Sequence, residues 1–406
     1  MTAPIKGKVL YLHRTQDGGA EQVHILGIVH AFEDAGIEVD MLSPKGLERA
    51  SIQHGTSAPS HGGQRNALFA FASRHSPELI FELLEIAYNA MALWRIARHG
   101  LSGYQLVFER YAVFSITGLL LARIAKLPLV IEVNYTSRSP LVRRRSRLLK
   151  PLAHVIDRWI FKGATLLTPV STTLKKELMN DFGIPEEKIL VLPNGADPRK
   201  FVPAAAKAAS GKKTIGFVGG FYPWHGLDLL IEAYAGIADR FPDSQVLLIG
   251  DGPELDHIRS LVARRSLSGR VIFGGRKKHQ ELPQVMSSFH VGVMPDSNDY
   301  GSPMKIFEYM ALGVPVIAPD YVPILDAISD GVHGIVFEKR SVTALRAALS
   351  RLLEDETLAQ RLGARCRETV IRERNWNANV ARIMDALAAV PGRPVNFSRE
   401  APHDAR

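Results

Sequence analysis

Short apolar runs that end in polar or glycine residues alternate along this chain with segments of helical periodicity, and they do so in two successive series. Residues 8–13 read as a buried strand, 21–35 as a helix with apolar Val23, Ile25, Leu26, Ile28, Val29 and Phe32, and 36–42 as a second strand. That is a βαβ unit, in which parallel strands are joined by a covering helix. Strands over 105–109, 128–134 and 165–171 continue the series, with helices over 77–98, 118–126 and 141–160. After the Pro193-Asn194-Gly195 turn and a linker over 201–212, strands at 214–218, 245–250, 271–276, 290–295 and 315–318 open a second series, completed by 320–326 and 331–337. Helices are expected over 227–241, 303–312 and 344–353, with a terminal helix from 375 to about 389. The chain has 406 residues, 46% of them hydrophobic, enough for two cores. The expected organisation is a first Rossmann-like domain over 1–200, a second over 201–375, a helix over 376–390, and a disordered tail over 391–406.

Cys366 is the only cysteine, which excludes an internal disulfide and a thiolate metal cluster and fits a reducing compartment. The histidines His54, His61 and His75 lie in and beside a polar segment, 51–66, without the spacing of metal ligands, so no metal site is expected. No run reaches the ~20 apolar residues of a membrane span, and the first residues are too short an apolar run for a signal peptide. A cytoplasmic protein is expected. The net charge of +9 attracts phosphate at long range. Within 138–150, Arg138, Arg143, Arg144, Arg145, Arg147 and Lys150 occur without one acid. With the apolar residues that follow, they fit a helix lying on the anionic inner face of a membrane, or equally a helix packed on its own domain with a solvated basic face. Nucleic acid is not expected, because the cluster lacks interleaved aromatics.

The segment Tyr300–Ala318 carries the chemistry. Ser302-Pro303 reads as a helix start, serine as cap and proline as first residue. Lys305 then falls in the first turn, where the helix dipole disfavours a cation unless an anion sits there. Glu308 shares its face. A local Lys305–Glu308 pair is the plain alternative, but lysine before glutamate is the poorer orientation, worth only ~0.2–0.5 kcal/mol. A phosphate neutralised by Lys305, with Glu308 accepting sugar hydroxyls, accounts for more of the pattern.

Open α/β sheets bind ligands beyond the carboxyl ends of their strands. Glu109, Arg110, Glu132 and Asn134 occupy such ends, as ligand groups or as caps. Gly18-Gly19 and the glycine-rich run Gly219–Gly226 each join a strand to a helix, where backbone N–H groups can face a ligand or simply make a turn.

The run Asp299–Ala318 resembles the donor-binding segment of retaining glycosyltransferases of family 4; Gly18–Glu21 resembles the first loop of that family, Phe108–Tyr111 and Ile131–Asn134 segments of one of its subgroups, and the loop before residue 227 its diphosphate-holding loop. The resemblance implies a GT-B architecture: α/β, two Rossmann-like domains whose parallel sheets face across a cleft, with the helix over 376–390 crossing back to the first domain. It implies transfer of a sugar from a nucleoside-diphosphate donor, as co-substrate and with no other cofactor, to a glycan, lipid-linked or small-molecule acceptor, by a metal-independent front-face mechanism with retention. Lys305, Glu308 and, as an acceptor-side base, Glu132 are then the catalytic candidates. Donor contacts fall on Gly18, Gly19, Gly220, His225, Arg276, Tyr300, Gly301, Ser302, Pro303, Met304, Lys305 and Glu308, and acceptor contacts on Glu109, Arg110 and Asn134. Three positions depart from the family pattern: Tyr300 replaces a glutamate expected at the transferred sugar, and Gly220 and His225 replace an arginine and a lysine expected at the diphosphate. A non-hydrolysing epimerase and a non-catalytic ligand-binding protein are the competing readings.

Overall fold

The computed structural model describes residues 5–15, 19–49, 78–140, 148–203, 212–390 and 398–399. The expected loop over 51–66, Gly18, the arginines Arg143, Arg144, Arg145 and Arg147, and most of the linker lie outside the described residues. Two compact units divide the chain: residues 1–192 with 379–406, and residues 193–378.

The first unit is built on a sheet of β1 (Ile5–Leu12), β2 (Ile37–Ser43), β3 (Gly46–Arg49), β4 (Leu106–Arg110), β5 (Leu129–Val133) and β6 (Leu166–Pro169), in the order β3-β2-β1-β4-β5-β6. All pairs are parallel except β2 with β3. β4 and β5 are buried nearly throughout, as strands inside a doubly wound sheet are. The second unit carries β7 (Lys213–Val218), β8 (Ser244–Ile249), β9 (Val271–Gly275), β10 (Val291–Val293), β11 (Val316–Pro319) and β12 (Gly334–Phe337), all parallel, in the order β12-β11-β10-β7-β8-β9. Both are doubly wound sheets whose strand order reverses beside the first strand. The switch points lie between β1 and β4 in one unit and between β7 and β10 in the other, where such sheets open a crevice.

Several sequence expectations need correcting. Residues 320–326 form no strand; Val322–Leu325 is a single helical turn, and the sheet passes directly from β11 to β12. The helix Glu356–Arg372 was not expected at all, because its alternating charges mask an inner face of Leu358, Leu362, Cys366 and Val370. Phe201, expected in the linker, is 2% exposed, and its carbonyl accepts from Arg367. Residues 193–201 belong with the second unit for that reason: Asn194 bonds Ser302, Ala196 bridges Asn375, and Arg367 also binds the Pro198 carbonyl. The last helix, Trp376–Ala388, begins in the residues of the second unit and from Asn379 is counted with the first. Within the tail, Ser398–Arg399 pairs antiparallel with Ile5 and Lys6 rather than being free.

Candidate functional site

In the second unit the switch point is occupied by the loop after β7 and the helix after β10. The helix runs Met304–Ala311, and Gly313, at φ +66°, follows its end. Its N-cap is Pro303, with extended ψ and no side chain to satisfy the first-turn N–H groups. Ser302 is therefore not the cap the sequence suggested. Pro303 starts the helix one residue later, and the Ser302 hydroxyl instead accepts from the Asn194 N–H at 3.0 Å. The stretch before it is shaped by Asn298, whose Oδ1 accepts from the N–H groups of Tyr300 and Gly301 (3.3 and 2.6 Å). This is an Asx turn, and asparagine two residues before Tyr300 was the signal for it. The Tyr300 side chain is buried, at the position where a carboxylate was expected.

Lys305 reaches back to the β7 loop. Its Nζ is buried without a hydrogen-bond partner among the described residues and lies 4.3 Å from the centre of the Phe217 ring. Burial pulls its pKa down from 10.5 to about 7, against the partial support of Glu308. Gly219 makes the approach feasible: its φ is +151°, and a Cβ there would stand 2.8 Å from Nζ. The loop is held by bonds from Gly219 N–H to the Ile249 carbonyl and from Phe221 N–H to the Asp251 carbonyl. His225 bonds the Gly220 carbonyl through Nδ1, so Nδ1 carries the hydrogen. Burial, with Lys305 nearby, holds its pKa down at about 3. His225 is thus a neutral brace for the loop and supplies no charge in place of the family lysine. Tyr309, on the Met304–Ala311 helix, accepts from the Val218 N–H at 2.9 Å and fixes the end of β7 to that helix.

Glu308 is 6% exposed, and no Lys305–Glu308 ion pair forms. Its Oε1 instead accepts from His279 Nε2 at 2.9 Å. No local pattern marks His279, which follows β9 and is 29 residues away. Arg276, just past β9, is exposed, and Met304 is half-buried at the helix start. Gly19, exposed at φ +88°, begins the first helix of the other unit, Ala20–Asp34.

In the first unit three of the strand-end candidates, Arg110, Glu132 and Asn134, bond one another. Glu132 is buried; Arg110 Nη1 lies 2.5 Å from its Oε1, the Asn134 amide donates to the same oxygen, and His24 Nε2 stands 3.1 Å from Oε2. Burial would raise its pKa, but the charges and hydrogen bonds of His24, Arg110 and Asn134 hold it down at about 2. So weak a base, with Oε1 accepting from two donors, does not suit the acceptor-side base role expected for it. His24 went unnoticed in the sequence because a lone histidine in an apolar helix carries no pattern. Glu109 is buried beside the start of another helix, and its Oε2 has no hydrogen-bond partner among the described residues. Ser115 donates to its Oε1 at 2.5 Å, and Oε2 lies where a Cβ on Gly118 would be, against the start of the helix Thr117–Ala125. Burial raises its pKa from 4.5 to about 7.

The family model for glycosyl transferases group 1 matches residues 199–369, and that for glycosyltransferase family 4 matches residues 18–200. Over 253 residues the chain is 26% identical to a 2-deoxystreptamine glucosyltransferase of Streptomyces kanamyceticus, covering 59% of this chain and 65% of that one. Over 252 residues it is 29% identical to a GDP-mannose-dependent alpha-(1-6)-phosphatidylinositol monomannoside mannosyltransferase of Mycobacterium tuberculosis, covering 58% and 65%. The match thus spans just under two thirds of each of these relatives. In fold, the crystal structure of Anabaena HepE in complex with UDP superposes with a TM-score of 0.69 at 17% identity, covering 94% of this chain and 100% of that one.

Proposed function

This chain belongs to the glycosyltransferases of family 4 and group 1 and has their GT-B fold, and on that premise we propose that it moves a sugar from a nucleoside-diphosphate donor to a glycan or lipid-linked acceptor. The observation that carries the reading is the Lys305 ammonium, buried without an acceptor at an uncapped helix N-terminus beside the Gly219-Gly220 loop. Such a place lacks one thing, an anion. A diphosphate there meets the first-turn N–H groups, the loop backbone and one lysine. Because Gly220 and His225 offer no charge, Lys305 is the principal cation of the site.

The chemistry that fits is metal-independent front-face transfer with retention. The bond from the anomeric carbon to the β-phosphate oxygen breaks, the acceptor oxygen takes its place on the same face, and the acceptor proton passes to the departing phosphate. The protein's part is electrostatic: Lys305 and the helix dipole stabilise charge as it develops on the leaving group. Glu308 holds sugar hydroxyls of the donor. This assignment needs no protein base, which accords with the low basicity of Glu132.

For the acceptor we favour a lipid-linked glycan at the inner, anionic face of a membrane. The outer side of the helix Glu78–His99 exposes Ile80, Leu83, Met91 and Trp94, and that of Lys150–Gly163 exposes Leu152, Val155 and Trp159. A bond from Leu149 N–H to Glu82 Oε2 (3.1 Å) brings the two helix starts together. Exposed Lys126, Lys150, Arg158 and Lys162 lie on or beside these helices, while Asp157, the acid of the second helix, is fully buried. Apolar residues with a basic surround suit anionic lipid. No helix among the described residues is long and apolar enough to cross a membrane.

The test is a donor panel with and without acceptors. Nucleoside diphosphate released only with an acceptor supports transfer; an epimerised donor would establish the epimerase reading, and neither product the non-catalytic one. Trp159→Glu and Val155→Glu should weaken sedimentation with phosphatidylglycerol vesicles; unchanged sedimentation removes the membrane reading.

A further inference from the structure

His279 sits on a single helical turn, His279–Glu281, and its hydrogen bond and ring contact both lead back to the helix carrying Glu308. Its Nε2 donates to Glu308 Oε1, and its ring stands edge-on to Phe201, with centroids 5.5 Å apart and planes at 69°. The Phe201 carbonyl accepts from Arg367 Nη1 at 2.7 Å. That same nitrogen donates at 2.6 Å to the carbonyl of Ala311, the last residue of the Met304–Ala311 helix. Histidine, phenylalanine, guanidinium and helix therefore form a closed circuit that fixes the imidazole relative to the Glu308 backbone. With the backbone and one carboxylate oxygen both held, rotation about the last bond of the Glu308 side chain is removed.

We infer that His279 is a positioning residue that orients the Glu308 carboxylate for a vicinal pair of sugar hydroxyls on the bound nucleotide. The inference rests on the proposed nucleotide donor. A carboxylate has about four acceptor sites; one on Oε1 is taken by His279, leaving room for two hydroxyl donors in its plane. A carboxylate free to turn must lose that freedom when the diol binds, whereas one already anchored does not. His279 is itself partly exposed, with 34% of its side chain in contact with solvent, so a substitution there need not open a cavity.

The experiment is titration calorimetry on the full chain with UDP, GDP and ADP, then with the 2′-deoxy and 3′-deoxy forms of whichever binds tightest. The parent protein should prefer the ribose form. His279→Ala should weaken the ribose form roughly tenfold, the scale of a hydrogen bond to a charged group, and weaken the deoxy forms, each of which keeps one hydroxyl of the pair, distinctly less, so that the preference shrinks. His279→Gln, which keeps an N–H donor, should restore part of it. A purely structural role would weaken all forms alike, and that result, or an undiminished preference in His279→Ala, overturns the inference. Glu308→Ala separates the two levels. If it retains the preference, the assignment of Glu308 to sugar hydroxyls is wrong and His279 falls with it; if it loses the preference while His279→Ala keeps it, the inference about His279 alone fails. Absence of binding by all three diphosphates overturns both.

Discussion

The ammonium of Lys305 lies 4.3 Å from the centre of the Phe217 ring and has no hydrogen-bond acceptor among the described residues. An aromatic face offsets only part of the lost hydration, about 2 kcal/mol when desolvated, and the group accordingly titrates near neutrality. Its charge is completed when an anion arrives.

Diphosphate binding should therefore carry a proton with it. With a pKa of about 7 in the free protein, Lys305 is roughly nine-tenths neutral at pH 8, and an adjacent anion raises its pKa again. Calorimetry in buffers of different ionisation enthalpy should show uptake approaching one proton at pH 8 and almost none at pH 5.5. Lys305→Ala should abolish the difference; an uptake that survives the substitution would place the titrating group elsewhere.

Gly219→Ala and Gly220→Ala should behave differently although they are neighbours. At Gly219 a Cβ meets Lys305 Nζ at 2.8 Å and the φ of +151° strains any L side chain, whereas at Gly220 its nearest neighbours are atoms of the Tyr222 ring, which is 42% exposed. Gly219→Ala should lower turnover by at least about tenfold, consistent with about 1.4 kcal/mol of lost transition-state stabilisation. Gly220→Ala should have a much smaller effect. Steady-state rates on the two purified variants decide it.

Glu132→Gln should affect stability more than chemistry. It removes the charge facing buried Arg110, and breaking one side of a buried pair costs about 3 kcal/mol or more. Urea unfolding should report that loss, while turnover per folded molecule stays near normal. A folded variant with turnover reduced a hundredfold would restore Glu132 to a direct role.

Glu109 sets a pH dependence of stability. Its folded pKa of about 7 lies above the usual 4.5, so its contribution is fully present below 4.5 and is lost as pH rises through 7. Between those limits the folded protein holds the proton and the unfolded chain does not. Glu109→Gln should therefore gain on the parent protein from pH 4.5 to pH 8, by up to about 3 kcal/mol. Unfolding midpoints across that range test the sign; a constant difference would show that Glu109 is ionised throughout.

What the amino-acid sequence determined is the alternation of strands and helices, and hence two parallel doubly wound sheets, because apolar periodicity dictates which faces are buried. It also placed Lys305 and Glu308 on one helix face, a matter of local spacing. Only the tertiary structure decided what they meet. Phe217 and Gly219 reach Lys305 because β10 pairs beside β7, with Val291 opposite Ile215, and His279 reaches Glu308 from a turn beyond β9. The same holds for His24, Arg110 and Asn134 converging on Glu132, which made an internally paired group of what sequence position alone offered as a ligand. Periodicity reports whether a side chain is turned inward; the partner it finds there is set by sheet order and register, which depend on contacts between residues far apart in the chain.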